Sequence, residues 1–294
     1  YPSWIAVHPK LQYLYAANEN EFKPERDKPS NISAFAMDRK TGQLTLLNRA
    51  SAVGRGPCHV SVDRTGRALM LANYGSGSVA VLPIQADGQL GEATAFIQHK
   101  GSSVDPKRQA GPHAHCILPS PDNRFVLAAD LGLDQVLVYR FDAAKGTLAP
   151  NEPPFGKVPP GAGARHFVFH PNSRYAYVVN EIANTVTTFR YQANKGVLTE
   201  LQTVPTLPKD FSGHDLASGI LIDRAGKFVY VSNRGHDSIA VFAIDPKKGT
   251  LTPVEHVPTQ GKTPRSIALD PTGTYLFAAN QDTHNIVLFR VDSK

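Results

Sequence analysis

The sequence predicts an all-β fold, a seven-bladed β-propeller of four-stranded blades built as one domain over residues 1–294. Three observations predict it. A hairpin unit recurs six times, as WIAVHPKLQYLYAANE, HVSVDRTGRALMLANY, CILPSPDNRFVLAADL, ARHFVFHPNSRYAYVVNE, GILIDRAGKFVYVSNR and SIALDPTGTYLFAANQ. A turn glycine recurs at the same period, at Gly42, Gly88, Gly146, Gly196 and Gly249. No segment carries the long 3.6-residue apolar stripe of an amphipathic helix.

The four strands of a unit follow in order. The first (HFVF in the fourth unit) is a short apolar run that ends in a Pro/Asp/Asn/Gly turn such as HPNS. The second (YAYVV) returns antiparallel and closes on Asn18, Asn73, Asp130, Asn180, Asn233 or Asn280. Because that residue recurs in every unit, turn chemistry explains it better than ligand contact does. The third strand (TVTTFRY) is followed by the turn glycine, and the fourth (VLTELQTV) completes the set. Four short strands in a repeat of about 40 to 55 residues are the pattern of a propeller blade. The last unit ends after its third strand (NIVLFRVD), and no strand precedes the first unit. The expected ring therefore has one fourth strand and one whole blade outside these 294 residues.

Composition narrows the function classes. Hydrophobic residues make up 41% and charged residues 19%, an ordinary globular balance, and no apolar run reaches the roughly 18 residues that would span a bilayer. Net charge is +6, but lysines sit singly in turns such as MDRKTGQ and DAAKGT. Neither a nucleic acid nor a membrane partner is expected. A small anionic ligand is, wherever some of that charge faces a cleft. Cys58 and Cys116 are too few for a disulfide scaffold and too far apart for a zinc site, so they read as small core residues. The chain opens on YPSW without a methionine, which leaves a removed leader open; a cytoplasmic location is the expectation.

Counting from the turn places side chains at the open end of each hairpin. Fifteen residues before each closing Asn or Asp and one residue after it should face one another. The pairs are Ser3 with Glu19, Cys58 with Tyr74, His115 with Leu131, Arg165 with Glu181, Ser218 with Arg234, and Arg265 with Gln281. The same end receives the longest connections, NEFKPERDKPSN, QHKGSSVDPKRQAGPH and TLPKDFSGHDLASG. Long loops over one mouth of a rigid scaffold are where sites are usually built. His115, Arg165, Glu181, Arg234 and Arg265 are therefore expected on one rim. Arg165, Glu181 and Arg234 could instead form an ion-pair chain that locks adjacent blades. Three arginines against one glutamate, however, leave positive charge uncompensated, which points to an absent anion.

Arginine forks suit carboxylate or phosphate, glutamate can activate water, and histidine can carry a proton near neutrality. Together they fit hydrolysis of an anionic ester or lactone, or proton transfer beside a carboxylate. No nucleophilic serine is signalled, since GSGS at 75–78 lacks the helix of a nucleophile elbow. GAGA before Arg165 likewise lacks a nucleotide-loop context and reads as a blade connection. The HAH at His113–His115 puts two imidazoles on one strand face, but with no clear carboxylate partner no metal is assigned, and no cofactor is expected. His214, Asp215 and His236 come from the same mouth and read as shaping the pocket.

GPHAHCILPSPDNRFVLAADLGLDQVLVYRFD, ARHFVFHPNSRYAYVVNE, VYVSNRGHDSIAVF and PRSIALDPTGTYLFAAN resemble the lactonase family of seven-bladed propellers along essentially the whole chain. That family takes in bacterial 6-phosphogluconolactonases and a fungal carboxymuconate cyclase. The resemblance implies metal-free lactone hydrolysis with a histidine, two arginines and a glutamate in the site. By motif these fall on His115 (with His113 as the less favoured match), Arg165, Glu181 and Arg234. The expected reaction is hydrolysis of an anionic sugar lactone, foremost 6-phosphogluconolactone. Arg265, His113, His214 and His236 are the expected further substrate contacts. A muconate-type cycloisomerase and a non-catalytic binding scaffold are the alternatives.

Overall fold

The structure, a computed structural model, describes residues 2–19 and 30–292. Most of the expected loop NEFKPERDKPSN lies outside the described residues. Every regular element described is a β-strand, and the strands form six sheets. Two compact units divide the chain, residues 1–156 and 157–294.

In the first unit, β1 (Pro2–Val7), β2 (Tyr13–Asn18), β3 (Asn31–Met37) and β4 (Leu44–Ser51) make one blade in that order. The next blade is β5 (Pro57–Val62), β6 (Ala68–Asn73), β7 (Ser78–Pro83) and β8 (Ala95–Gln98). The third is β9 (Ala114–Pro119), β10 (Phe125–Asp130), β11 (Gln135–Asp142) and β12 (Thr147–Lys157). The second unit holds β13 (Ala164–Phe169), β14 (Tyr175–Asn180), β15 (Thr185–Gln192) and β16 (Val197–Pro205) as its first blade. Its second is β17 (Ala217–Ile222), β18 (Phe228–Asn233), β19 (Ser238–Ile244) and β20 (Leu251–Pro258). A three-stranded sheet follows, β21 (Pro264–Leu269), β22 (Tyr275–Asn280) and β23 (Asn285–Arg290). Sequence-adjacent strands pair antiparallel throughout, the meander that short turns enforce.

Within each unit the core lies between neighbouring blades. Tyr177, Val179 and Val186 of one blade pack with Ala217, Ile220, Val231 and Phe242 of the next. Burying a side chain of this size contributes roughly 1.5–3 kcal/mol. Tyrosines also tie blade to blade: Tyr177 donates from its hydroxyl to the carbonyl oxygen of Gly249 at 2.9 Å, and Tyr15 to that of Gly88 at 3.1 Å. Both glycines have positive φ, and a Cβ on either would run into the tyrosine at 175 or 13. On the three-stranded sheet the apolar side chains of Tyr275, Phe277, Ile286 and Leu288 are exposed.

The closing Asn residues are bracing groups. Asn73 Nδ2 donates to Ala52 O and Ser78 Oγ, Asn233 Nδ2 to Thr206 O and Ser238 Oγ, and Asn280 Nδ2 to Thr259 O. Each one fastens the start of the third strand or the connection from the blade before. Asp130 occupies this position in its own blade, and there His99 Nδ1 donates to Asp130 Oδ2 at 2.6 Å. Tyr139 OH lies 2.8 Å from the other nitrogen of that buried imidazole.

The pairing register differs from the count made on the sequence. The closing residue pairs with the residue sixteen before it: Pro2↔Asn18, Pro57↔Asn73, Ala114↔Asp130, Ala164↔Asn180, Ala217↔Asn233 and Pro264↔Asn280. The ladder then shifts, and the residues assigned as facing partners (Ser3, Cys58, His115, Arg165, Ser218 and Arg265) sit in the irregularity. Continuing the regular ladder from His166↔Val179 would set Arg165 against Asn180, one residue short of the counted Glu181; the β-bulge then leaves Arg165 out of the ladder, and Ala164 pairs with Asn180 instead.

Candidate active site

Arg165 occupies the bulge of β13, and Glu181 follows β14 directly. The bulge re-aims a side chain that regular pleating would send across the sheet. Arg165 Nε reaches Glu181 Oε2 at 2.8 Å, so the pair predicted from the sequence forms even though the two are not ladder partners. Arg234, the residue after β18, donates from Nη2 to the same oxygen at 2.7 Å. One carboxylate oxygen thus carries two guanidinium groups from adjacent blades. All three side chains are almost fully buried, the most exposed at 9%.

Main-chain carbonyls hold both arginines. Arg165 Nη1 donates to Ser218 O at 2.9 Å. Arg234 Nε donates to Leu216 O at 3.0 Å and its Nη2 to Ala217 O at 3.3 Å. Glu181 O in turn accepts from the Ala217 N–H at 3.2 Å. Residues 216–218, which open β17, therefore serve as a rail on which both guanidiniums rest. Ser218 sits in the bulge of β17, and its hydroxyl donates to Arg265 O at 2.8 Å. Burial pushes the Arg234 guanidinium below its ordinary pKa; Glu181 pulls it back up, and the like charge of Arg265 lowers it further. Guanidinium remains protonated under any such shift. Arg265 is half-buried, in the bulge of β21.

The loop before β17 adds a second acid. Asp215 is 4% exposed, and its Oδ1 accepts the His236 N–H at 2.8 Å. Its Oδ2 is buried with no hydrogen-bond donor among the described residues. Burial raises its pKa above the usual carboxylate range, opposed by the His236 amide and the Arg234 charge. The imidazole of His236 packs edge-on against Phe211 and His256, and its Nδ1 lies 2.7 Å from Ser238 Oγ. His214 is exposed on the same loop.

The first unit carries the other two histidines. His115 stands in the bulge of β9, buried, with Nδ1 3.9 Å from Cys58 Sγ and its ring edge-on to Tyr74. His113 stacks on Tyr74 with ring centroids 4.5 Å apart. Its Nδ1–H donates to Tyr74 O at 3.0 Å, and its amide donates to Asp130 Oδ1 at 2.7 Å. No group of three or more His, Cys, Asp or Glu side chains disposed to hold a metal occurs among the described residues.

The structure thus brings Arg165, Glu181 and Arg234 into direct contact, with Arg265 in electrostatic reach of Arg234. Cys58, which reads on the sequence as a small core residue, and Tyr74, which the count sets opposite it, are neighbours of the two histidines. Their place in the fifteen-before and one-after count was the available signal.

Comparison with known proteins places this geometry in a family. The family described as "Lactonase, 7-bladed beta-propeller" matches residues 1–294. A 6-phosphogluconolactonase of Bacillus subtilis is 38% identical over 293 residues, spanning 100% of this chain and 81% of that protein. A 6-phosphogluconolactonase of Formosa agariphila is 33% identical over 293 residues, spanning 99% and 81%. Among solved structures, the periplasmic gluconolactonase of Pseudomonas aeruginosa superposes with a TM-score of 0.92 at 34% identity, covering 99% of this chain and 81% of that one. The chain belongs to the lactonase family of seven-bladed β-propellers.

Proposed function

We propose that the protein hydrolyses an anionic sugar lactone, foremost 6-phosphogluconolactone, at the cluster built on Glu181. The observation that carries this reading is the pair of buried guanidiniums sharing one carboxylate oxygen. Water adds to the lactone carbonyl, the ring C–O bond breaks, and the departing alkoxide takes a proton. Arg165 and Arg234 draw in the anionic substrate, polarise the carbonyl and stabilise the oxyanion of the tetrahedral intermediate. Glu181 takes the proton from water.

Two adjacent arginines hold a carboxylate ionised and weaken it as a base. An incoming carbonyl oxygen takes over N–H groups that Glu181 Oε2 now accepts, so basicity rises when the substrate is in place. The family resemblance implies a histidine in the site, which by motif falls on His115, with His113 as the less favoured match. His214 and His236 are assigned to the loop that borders the substrate. The charged, buried character of the Arg165–Glu181–Arg234 cluster supports a catalytic site over a protein-docking scaffold, which would present an apolar patch. Residues 1–294 are read as one propeller domain, which the match of a single family over the whole chain supports. A phosphorylated substrate fits a cytoplasmic location, because a phosphate ester does not cross a bilayer unaided.

The test is lactone hydrolysis by the wild type beside Glu181→Gln and Arg165→Ala, each corrected for spontaneous ring opening. The reading requires both variants to fall far below the wild type; equal rates in all three exclude it. Incubation with a muconate derivative, followed for isomerisation without uptake of water, separates the cycloisomerase alternative.

A further inference from the structure

Arg265 repeats the placement of Arg165. Each is the bulge residue of its blade's first strand, Arg165 between Ala164 and His166 and Arg265 between Pro264 and Ser266. The blade between them carries Ser218 at the same position, and that serine joins the two. Its carbonyl accepts Arg165 Nη1 at 2.9 Å, while its hydroxyl donates to the carbonyl of Arg265 at 2.8 Å. The three bulges form one stitched row, arginine, serine, arginine, with the smallest side chain in the middle.

The two arginines differ in what they are doing. Arg165 is held by Glu181 and the Ser218 carbonyl, and Arg234 by Glu181 and two further carbonyls. Among the described residues the guanidinium of Arg265 has no hydrogen-bond or ion-pair partner, and the side chain is half-buried. Its charge is nevertheless felt by Arg234. Glu181 is the acid shared by the other two arginines, so the positive charge of Arg265 goes unanswered within this group. Partial burial of an unanswered cation is costly unless an anion arrives to meet it. A guanidinium with its fork unoccupied is suited to the paired oxygens of phosphate or carboxylate.

We infer that Arg265 is the specificity-determining residue of this site, receiving the anionic group of the substrate that lies away from the lactone carbonyl and so selecting phosphorylated over neutral sugar lactones. This inference rests on the lactonase reading. It divides the labour between Arg165 and Arg234, which attend to the reacting carbonyl and Glu181, and Arg265, which attends to the distant charge. Hydrogen bonds to charged groups contribute about 1.5–3 kcal/mol, which corresponds to a preference of about 10- to 100-fold.

The experiment compares kcat/KM for 6-phosphoglucono-1,5-lactone and glucono-1,5-lactone in the wild type, Arg265→Gln and Arg265→Lys. The expected result is a preference for the phosphorylated lactone that falls about 10- to 100-fold in Arg265→Gln and is partly restored in Arg265→Lys. A loss of folded protein lowers both rates together and cancels in the ratio. An unchanged ratio overturns the inference. Should the wild type hydrolyse neither lactone, the lactonase reading fails by itself, and calorimetry with 6-phosphogluconate and gluconate decides the remaining claim. Phosphate-dependent binding that is lost in Arg265→Gln sustains it; binding equal in the two proteins, or none in the wild type, overturns it.

Discussion

Arg165 donates from Nη1 to the main-chain oxygen of Ser218 at 2.9 Å, across 53 residues of sequence and from one blade to the next. The site is therefore tied to blade packing: the bond that orients a guanidinium also fastens β13 to β17. Stability and activity should respond to the same substitutions.

Removing the shared acid should be felt in the fold. Glu181 neutralises two buried guanidiniums, and breaking a buried pair leaves an uncompensated charge at a cost of about 3–5 kcal/mol. Glu181→Ala should lose stability of that order in urea denaturation. Glu181→Gln, which keeps an acceptor oxygen, should lose less while still losing lactone hydrolysis by about 10²- to 10⁴-fold. Equal damage to stability in both variants would argue that charge alone holds the cluster, since both lose it and only Gln keeps the shape and an acceptor oxygen.

Lysine should not replace arginine at position 165. Arg165 uses Nε on Glu181 and Nη1 on Ser218 O at once, a fork that a single ammonium cannot reproduce. Arg165→Lys should keep hydrolysis within about tenfold of Arg165→Ala, both lying about 10²- to 10³-fold below the wild type. Full activity in the lysine variant would show that charge alone suffices.

Asp215 sets a pH dependence whose sign follows from its burial. Its folded-state pKa is raised, so the folded chain keeps this proton to higher pH than the unfolded chain does. The contribution to stability is present below the unfolded value of about 3.9 and is lost as pH rises through the folded value. Asp215→Asn, which has no charge to bury, should therefore gain on the wild type from pH 4 toward pH 7 and level off once the folded carboxyl has ionised. Denaturation of both proteins at pH 4, 5, 6 and 7 measures this. A difference that stays constant across the series would falsify it.

The buried His99–Asp130 pair should behave as a unit. Asp130 is the one carboxylate among six closing residues that are otherwise Asn, and its partner imidazole is fully enclosed. Either His99→Ala or Asp130→Ala should cost about 3–5 kcal/mol, with the double variant well short of the sum. Strict additivity of the two losses in a denaturation cycle would refute the coupling.

Much of this architecture is legible in the sequence because its signals are local. The closing Asn residues mark positions where a side-chain amide braces the next strand or the preceding connection, and the turn glycines mark positions where backbone geometry restricts the choice: Gly88 and Gly249 each have positive φ and lie against a tyrosine. The bulge is not local. Nothing in ARHFVF distinguishes an extra residue from a regular one, so the sequence does not show that Arg165 stands outside the ladder. The count still selected the right neighbours, because the bulge turns Arg165 toward the end of the hairpin where Glu181 stands. The sequence marks Arg265 as a contact, but its unanswered charge depends on which donors Glu181 and the β17 carbonyls already engage, and those lie on other blades. Cys58 was read as core for its residue type, and its place beside His115 depends on how β5 and β9 run together.

The bulge at the head of each blade has a consequence for how such a fold diversifies. A residue there contributes little to strand pairing, so its identity can change while the framework stays in register. Ser3, Cys58, His115, Arg165, Ser218 and Arg265 act as sockets: four kinds of side chain mounted at one position of a repeated frame. Exchanging what is plugged into them offers a short route to a new substrate.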